Sequence, residues 1–434
     1  MRAKIEKLVY GGEGLTHANG ETLFVPFVLP EEEIEVEIAE RNKKLIRGNV
    51  QQILAASPDR THARCPHFGV CGGCDYQHIS YEAQLRFKEQ ILRETLRRLG
   101  RIDWQGPVTL HPSPPWEYRN RAQWKVRSLA SESAKSKHNE TMGIGYFRAR
   151  SAILCPIEEC PILSPALFAA FQALRSALGQ GKLSPLLREV EAFADAEDKT
   201  LLLNVTCASL PRAAADIAQA ILDAVPAATS ILLRDVPGER MALQGPGFLL
   251  YKAGQKSFRV GHLSFFQVNR FLVEEMAAVI ATAAGNGELA FDLYAGVGLF
   301  SASLAEHFSR VEAVEADPAS ARDLEQNAGS RGKGIRTHNQ TAEAFLSEWK
   351  RKRNASPEVI VVDPPRAGLE ESALRQLIAI RPRRVLYISC DPSTLARDLA
   401  KLCAEAYTLQ EIHLFDMFPQ TYHIESFVRL ERAP

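Results

Sequence analysis

Leu289-Ala-Phe-Asp292-Leu-Tyr294-Ala-Gly296-Val-Gly298 runs an apolar strand into a glycine turn. Glycines at that place let a tight strand-to-helix turn bring a ligand close to the backbone. Two later stretches end in reactive side chains. Val359-Ile-Val-Val-Asp363-Pro-Pro-Arg366 closes on a carboxylate, and Leu386-Tyr-Ile-Ser-Cys390-Asp-Pro-Ser-Thr394 puts a cysteine at the carboxyl end of an apolar strand. Open α/β enzymes place their chemistry at those ends. Further strands are expected to end near Glu315 and His338, a helix to span Asn269 to Ala284, and the final strands to run from Thr408 to Leu430. Alternation of this kind implies a doubly wound, mostly parallel sheet over residues 266–434, with three strand ends facing one crevice.

At 434 residues the chain is too long for one typical core, so two or three domains are expected. Residues 1–57 read as a small β-barrel: Leu23, Val25 and Phe27, then Ile34, Val36 and Ile38, alternate at the strand period, and Asn19-Gly20 supplies a hairpin turn. Lys43, Lys44 and Arg47 lie close together there, as a phosphate-tracking edge or as an ordinary solvated strand. Residues 58–265 form a central α+β unit with a helix starting near Ser80. Its Arg119, Arg121, Lys125 and Arg127 interleave with Trp116, Tyr118 and Trp124, a pattern that suits stacked single-stranded RNA or a strand with snorkelling cations. The polar stretch from Ser128 to Glu140 reads as a loop.

Lysine plus arginine balance aspartate plus glutamate at 52 each, so any nucleic-acid surface must be local. No apolar run approaches the ~20 residues of a membrane span, and Met1-Arg-Ala-Lys-Ile-Glu-Lys lacks a signal-peptide core, which points to a cytoplasmic protein. In a reducing compartment the cysteines are more plausibly ligands, a nucleophile or core residues than disulfides. Cys65-Pro-His-Phe-Gly-Val-Cys71-Gly-Gly-Cys74 sets three thiols in one glycine-rich loop, close enough to wrap a compact inorganic centre. Zinc uses the same ligands, although its structural sites usually bring two close pairs. A fourth ligand must come from elsewhere, and both Cys155 and Cys160 are available.

The cysteine strand end, the glycine turn and Asp363-Pro-Pro-Arg366 together resemble the RNA 5-methyluridine methyltransferase family. The barrel resembles its TRAM module and the cysteine loop its [4Fe-4S] loop, features of the branch that includes bacterial 23S rRNA uracil-5-methyltransferases. The resemblance implies S-adenosylmethionine as cofactor, held by Gln267 of Phe265-Phe-Gln267-Val-Asn269, by Tyr294, Gly296 and Gly298, by Glu315 on the ribose, by Thr341 near the adenine and by Asp363. It implies a cluster on Cys65, Cys71, Cys74 and Cys160, the last in the matching context Cys160-Pro-Ile-Leu-Ser-Pro165. Leu299 and Asp391 stand where many members carry asparagine.

Carbon 5 of uracil is a poor nucleophile until a thiolate adds to carbon 6, the role implied for Cys390. Glu425, in Met417-Phe-Pro-Gln-Thr-Tyr-His-Ile-Glu425-Ser426, resembles the family's general base. His423 competes with it, because its intrinsic pKa is close to working pH. RNA is the implied partner, 23S rRNA first and tRNA second, for a chain expected to act as a monomer. From the residues alone, methylation of an exocyclic base nitrogen, a dehydrogenase built on the glycine turn, and a non-catalytic RNA-binding or redox-sensing protein stay open.

Overall fold

Val359–Val362 is wholly buried, as a strand covered on both faces must be. In the computed structural model, which describes residues 1–18, 20–41, 45–129, 142–330, 334–352 and 355–433, this strand lies inside an eight-stranded sheet. The spatial order is Ile335–Asn339, Phe308–Glu315, Gly287–Leu293, Val359–Val362, Arg384–Ser389, Glu425–Arg432, Tyr407–Phe415 and Val108–His111. The first five strands are parallel, and Glu425–Arg432 inserts antiparallel between Arg384–Ser389 and Tyr407–Phe415. Strand order reverses between Gly287–Leu293 and Val359–Val362, which opens a crevice at their carboxyl ends.

Helices cover both faces, as the alternating pattern requires. On one side Leu92, Leu96, Phe345, Leu374, Leu395 and Leu399 share a core with the sheet; on the other Met276, Ile280 and Phe300 do so. The sheet also recruits upstream chain. Strand Val108–His111 pairs with Tyr407–Phe415, and helix Tyr81–Gly100 packs on helix Pro392–Glu405, so residues 81–111 join the layer expected to begin at 266.

Within the N-terminal module, strand Arg2–Lys4 pairs with Glu33–Arg41 while Lys7–Leu8 pairs with Glu13–Ala18. The first eight residues thus bridge the two ends of a six-stranded sheet and close it around Ile5, Val25, Val28 and Ile34. The central unit is a seven-stranded sheet backed by helices Pro165–Gly179 and Ala214–Ala224. Asn19, Lys43, Lys44 and, of the stretch from Ser128 to Glu140, residues 130–140 lie outside the described residues. Among the described residues no helix is long and apolar enough to cross a membrane.

Of the two readings open for the interleaved run, the packing of Tyr118, Arg121, Trp124 and Lys125 favours the strand with packed cations. Tyr118 and Trp124 are fully buried. The Arg121 guanidinium lies 4.5 Å from the centre of the Phe193 ring and donates to Ser264 O (2.9 Å), and Lys125 is ion-paired with Glu189. Arg119 points inward, with its Nε buried and unpartnered. Arg47 is engaged by Glu13 and Glu40. These cations have carboxylate or carbonyl partners across the strands or are turned away from solvent.

Candidate active site

The glycine turn is shaped by backbone that few residues tolerate. Tyr294 sits at φ 65°, Gly296 at 56° and Gly298 at 94°. A bulky residue such as Tyr294 in the left-handed region is strained, a feature that clusters at ligand clamps. A Cβ on Gly296 would meet nothing within 4 Å, so the turn faces open space. Behind it Asp292, fully buried, accepts from Ser301 Oγ (2.5 Å) through one oxygen, while the other has no partner. Burial pushes the Asp292 carboxyl up to about 7, with the Glu315 charge adding to the shift.

Glu315 ends the neighbouring strand and folds back on the turn. Its carboxylate accepts from the Gly296 N–H (2.8 Å) and the Asp317 N–H (2.7 Å). This fixes its position beside the turn and leaves further lone pairs for a ligand. Gln267 is partly exposed, and its carbonyl accepts from Asn120 Nδ2 (3.1 Å). Thr341 is exposed at the start of helix Ala342–Arg351, where its hydroxyl accepts from the Ala344 N–H (3.2 Å). Its visible task is that of a helix cap.

Cys390 directly follows strand Arg384–Ser389, and Asp391 caps helix Pro392–Glu405 by accepting from the Ser393 N–H (2.8 Å) and the Thr394 N–H (3.1 Å). The asparagine-to-aspartate departure therefore keeps the capping bond. Because Ser389 pairs with Ser426 across the sheet, Glu425 stands one step further along, beside Cys390. Asp363 ends the adjoining strand. The three groups act on one another: the Cys390 thiol is pushed up to about 11, by burial first, then by Glu425 and Asp363, against an opposing pull from Arg366.

Both carboxyls are perturbed the same way. Burial, with Asp292 nearby, pushes Asp363 up to about 7, and burial followed by Asp363 holds Glu425 well above the usual range. Like charges so placed disfavour each other's ionised form, which acts in the same direction as burial. His423 precedes this strand rather than lying in it, and burial followed by the Arg366 charge lowers it to about 4. It is neutral at working pH.

Cys65, Cys71, Cys74 and Cys160 line one cavity together with Arg119 and Tyr146. Burial pushes Cys71 up to about 12 and Cys160 up to about 11. Cys155, buried in strand Leu154–Pro156, is not among the residues lining it. Among the described residues no three histidine, cysteine, aspartate or glutamate side chains converge as a single metal ion would need.

Residues that the sequence did not single out complete the surroundings. Gln84 and Gln420 bond reciprocally: Gln84 Nε2 donates to Gln420 Oε1 (3.1 Å), and the Gln420 N–H donates to Gln84 Oε1 (2.9 Å). Lys88 and Asp416 form a fully buried ion pair at 2.6 Å. All four hold the loop leading into Glu425. Gln84 and Lys88 lie on the inward side of a periodic helix, a position that period alone assigns to apolar residues.

Residues 249–433 match the family model described as tRNA (Uracil-5-)-methyltransferase. An RNA methyltransferase of Aquifex aeolicus is 32% identical over 99% of this chain and 98% of its own length, and one of Halalkalibacterium halodurans is 31% identical over 99% and 96%. The tRNA (uracil-54, C5)-methyltransferase of Pyrococcus abyssi, solved with S-adenosyl-L-homocysteine, superposes with a TM-score of 0.74 at 24% identity, over 99% of this chain and 100% of that one. With the strand-end site, these likenesses make the chain an RNA methyltransferase built on an open α/β sheet. It belongs to the RNA 5-methyluridine methyltransferase family.

Proposed function

We propose that the chain methylates carbon 5 of a uridine in RNA with S-adenosylmethionine, through addition of Cys390 to carbon 6. The observation that carries this reading is the register that sets buried Glu425 beside the strand-end thiol of Cys390, with Asp363 at the end of the adjoining strand. Neither exocyclic-nitrogen methylation nor hydride transfer has use for that thiol.

Gly296 and Gly298 leave room for the cofactor, Glu315 is placed to accept from its ribose hydroxyls, and Gln267, Tyr294, Thr341 and Asp363 complete the proposed cradle. When bound, the cofactor supplies an electrophilic methyl group. Cys390, as thiolate, forms a bond to carbon 6 and makes carbon 5 enolate-like. After carbon 5 is alkylated, its proton must leave. Glu425, made more basic by burial, takes that proton, and the carbon–sulfur bond breaks as the double bond returns. Arg366 supplies the positive charge that opposes the carboxylates' effect on the thiol.

The four cysteines that share a cavity would hold a [4Fe-4S] cluster. What supports this reading is that the loop's three cysteines and the distant Cys160 line one cavity. Methyl transfer requires no electron transfer, so the cluster's part is structural. Anaerobically purified protein should contain iron and labile sulfide; one zinc and no sulfide would reject this assignment. Cys160→Ser should lose the cluster while Cys155→Ser keeps it.

The favoured substrate is 23S rRNA, on the combined presence of the TRAM-like barrel and cysteine loop. Transfer RNA is the second reading, because the Pyrococcus tRNA enzyme shares the architecture over 99% of this chain. The site draws all its groups from one chain, so a cytoplasmic monomer suffices. Mapping 5-methyluridine in rRNA and tRNA from cells with and without the gene decides between them; no loss from either RNA would overturn the function.

A further inference from the structure

The N-terminal barrel does more than sit beside the catalytic layer. Between its strands Lys7–Leu8 and Glu13–Ala18, the turn Tyr10-Gly11-Gly12 enters the crevice. Gly11 and Gly12 adopt φ 108° and 86°, conformations that favour glycine. A Cβ on Gly12 would lie 3.2 Å from Asp75 Cβ and 3.3 Å from Tyr422 Cδ1, so the turn is wedged between the residue after Cys74 and the residue before His423. The Tyr10 ring meets Tyr422 edge-on at 5.5 Å, and its hydroxyl donates to the carbonyl oxygen of Cys390 (3.3 Å).

We infer that Tyr10 is a positioning residue for the nucleophile: its hydroxyl holds the Cys390 peptide, and with it the direction of the thiol, so the barrel completes the catalytic site. The inference rests on the reading of Cys390 as the group that adds to uracil. Cys390 lies between a strand and a capped helix, where Ser389 Oγ takes the Asp391 N–H (3.2 Å) and Asp391 Oδ1 is spent on the helix start. The first holds the N–H side of the planar Cys390–Asp391 peptide. Tyr10 adds a hold on the carbonyl side of the same peptide, from 380 residues away in sequence. At 3.3 Å the contact is longer than the roughly 2.5–3.0 Å usual for a hydroxyl donor, so its expected effect is small.

Tyr10→Phe keeps the ring and its edge contact and removes only the donor; Tyr10→Leu removes both. In single-turnover reactions of full-length protein with RNA carrying 5-fluorouridine at the target, Tyr10→Phe should form the covalent adduct about 2.5-fold more slowly, the low end for one hydrogen bond. Affinity for RNA and for S-adenosylhomocysteine should stay within about twofold of wild type, a kcat effect without a KM effect. Tyr10→Leu should be slower still. An adduct rate for Tyr10→Phe equal to wild type, or a loss lying wholly in RNA affinity, overturns the inference while leaving Cys390 as nucleophile. Absence of any adduct from the wild type would instead sink the Cys390 reading, and this inference with it.

Discussion

Replacing Glu425 by glutamine should move two observables in opposite directions. Burial pushes the Cys390 thiol up to about 11, and of the neighbouring carboxylates Glu425 adds more to that shift than Asp363. A thiol at that value is ionised in about one molecule in 10³ at pH 8, since each unit below the pKa is tenfold. Glutamine keeps the shape and removes the anion, so the thiol should titrate lower by about one unit, ~1.4 kcal/mol. The sign depends on Glu425 being ionised. Because its own carboxyl is held well above the usual range, protonated Glu425 and glutamine carry the same charge at the acidic end. The two alkylation curves should therefore coincide there and separate as pH rises, the variant reaching up to ~10-fold faster alkylation. Iodoacetamide labelling from pH 6 to 11, read by mass spectrometry on the Cys390 peptide, resolves this.

Turnover should go the other way. Loss of a general base typically costs about 10²–10⁴-fold, so Glu425→Gln should accumulate a denaturation-resistant protein–RNA adduct that wild type clears. Superimposable alkylation curves over the whole range would refute the electrostatic argument. Normal turnover would remove Glu425 as base and make His423 the next residue to test, although burial holds it near 4 and leaves it neutral.

Thr341→Ala should cost about 1 kcal/mol in thermal unfolding through loss of the helix cap, and unchanged S-adenosylhomocysteine affinity would withdraw Thr341 from the cofactor site. Arg121→Ala should lower the melting temperature and leave the salt dependence of RNA binding as in wild type, because the guanidinium is spent on Phe193 and Ser264; a flatter salt slope would restore it as a phosphate contact. Lys88→Met should destabilise by about 3–5 kcal/mol, since it strands the buried Asp416 carboxylate, and Lys88→Met with Asp416→Leu should recover most of the loss by denaturant titration.

The catalytic layer was legible because its strands are short, apolar and end in chemistry. Val359–Val362 carries no polar residue, and the residues after it and after Arg384–Ser389 are Asp363 and Cys390. What stayed hidden depends on partners remote in sequence. Arg121, Gln123, Lys125 and Arg127 do face away from the core that holds Ala122, Trp124 and Val126, as their period implies. Their neutralisation comes from the adjacent strand, where Glu189 pairs with Lys125 and Glu191 with Gln123 in the register. Period two names a face but not what lies across from it. Strand Val108–His111 is likewise too short to announce that it would extend a sheet formed by residues 300 positions away.

The loop from Asp416 to Ile424 shows why such remote contacts matter to the chemistry. It connects strand Tyr407–Phe415 to Glu425 and has no regular structure of its own. Asn269 Nδ2 donates to the carbonyls of Asp416 and Met417 (both 3.3 Å), and the Tyr118 hydroxyl donates to Pro419 O (3.0 Å). The Asp75 N–H (3.0 Å) and Tyr76 N–H (2.9 Å) both donate to Gln420 O, and Gln84 takes the Gln420 N–H. Gln420 itself sits at φ 68°, a conformation that local preference alone would not hold for a non-glycine residue. The backbone groups satisfied here belong to Asp416, Met417, Pro419 and Gln420, and each remote partner comes from a segment upstream of strand Gly287–Leu293. Since Asp75 and Tyr76 directly follow Cys74, any displacement of the cysteine loop is transmitted through two hydrogen bonds to the Gln420 carbonyl. The central unit thereby bears on the placement of Glu425, the proposed base.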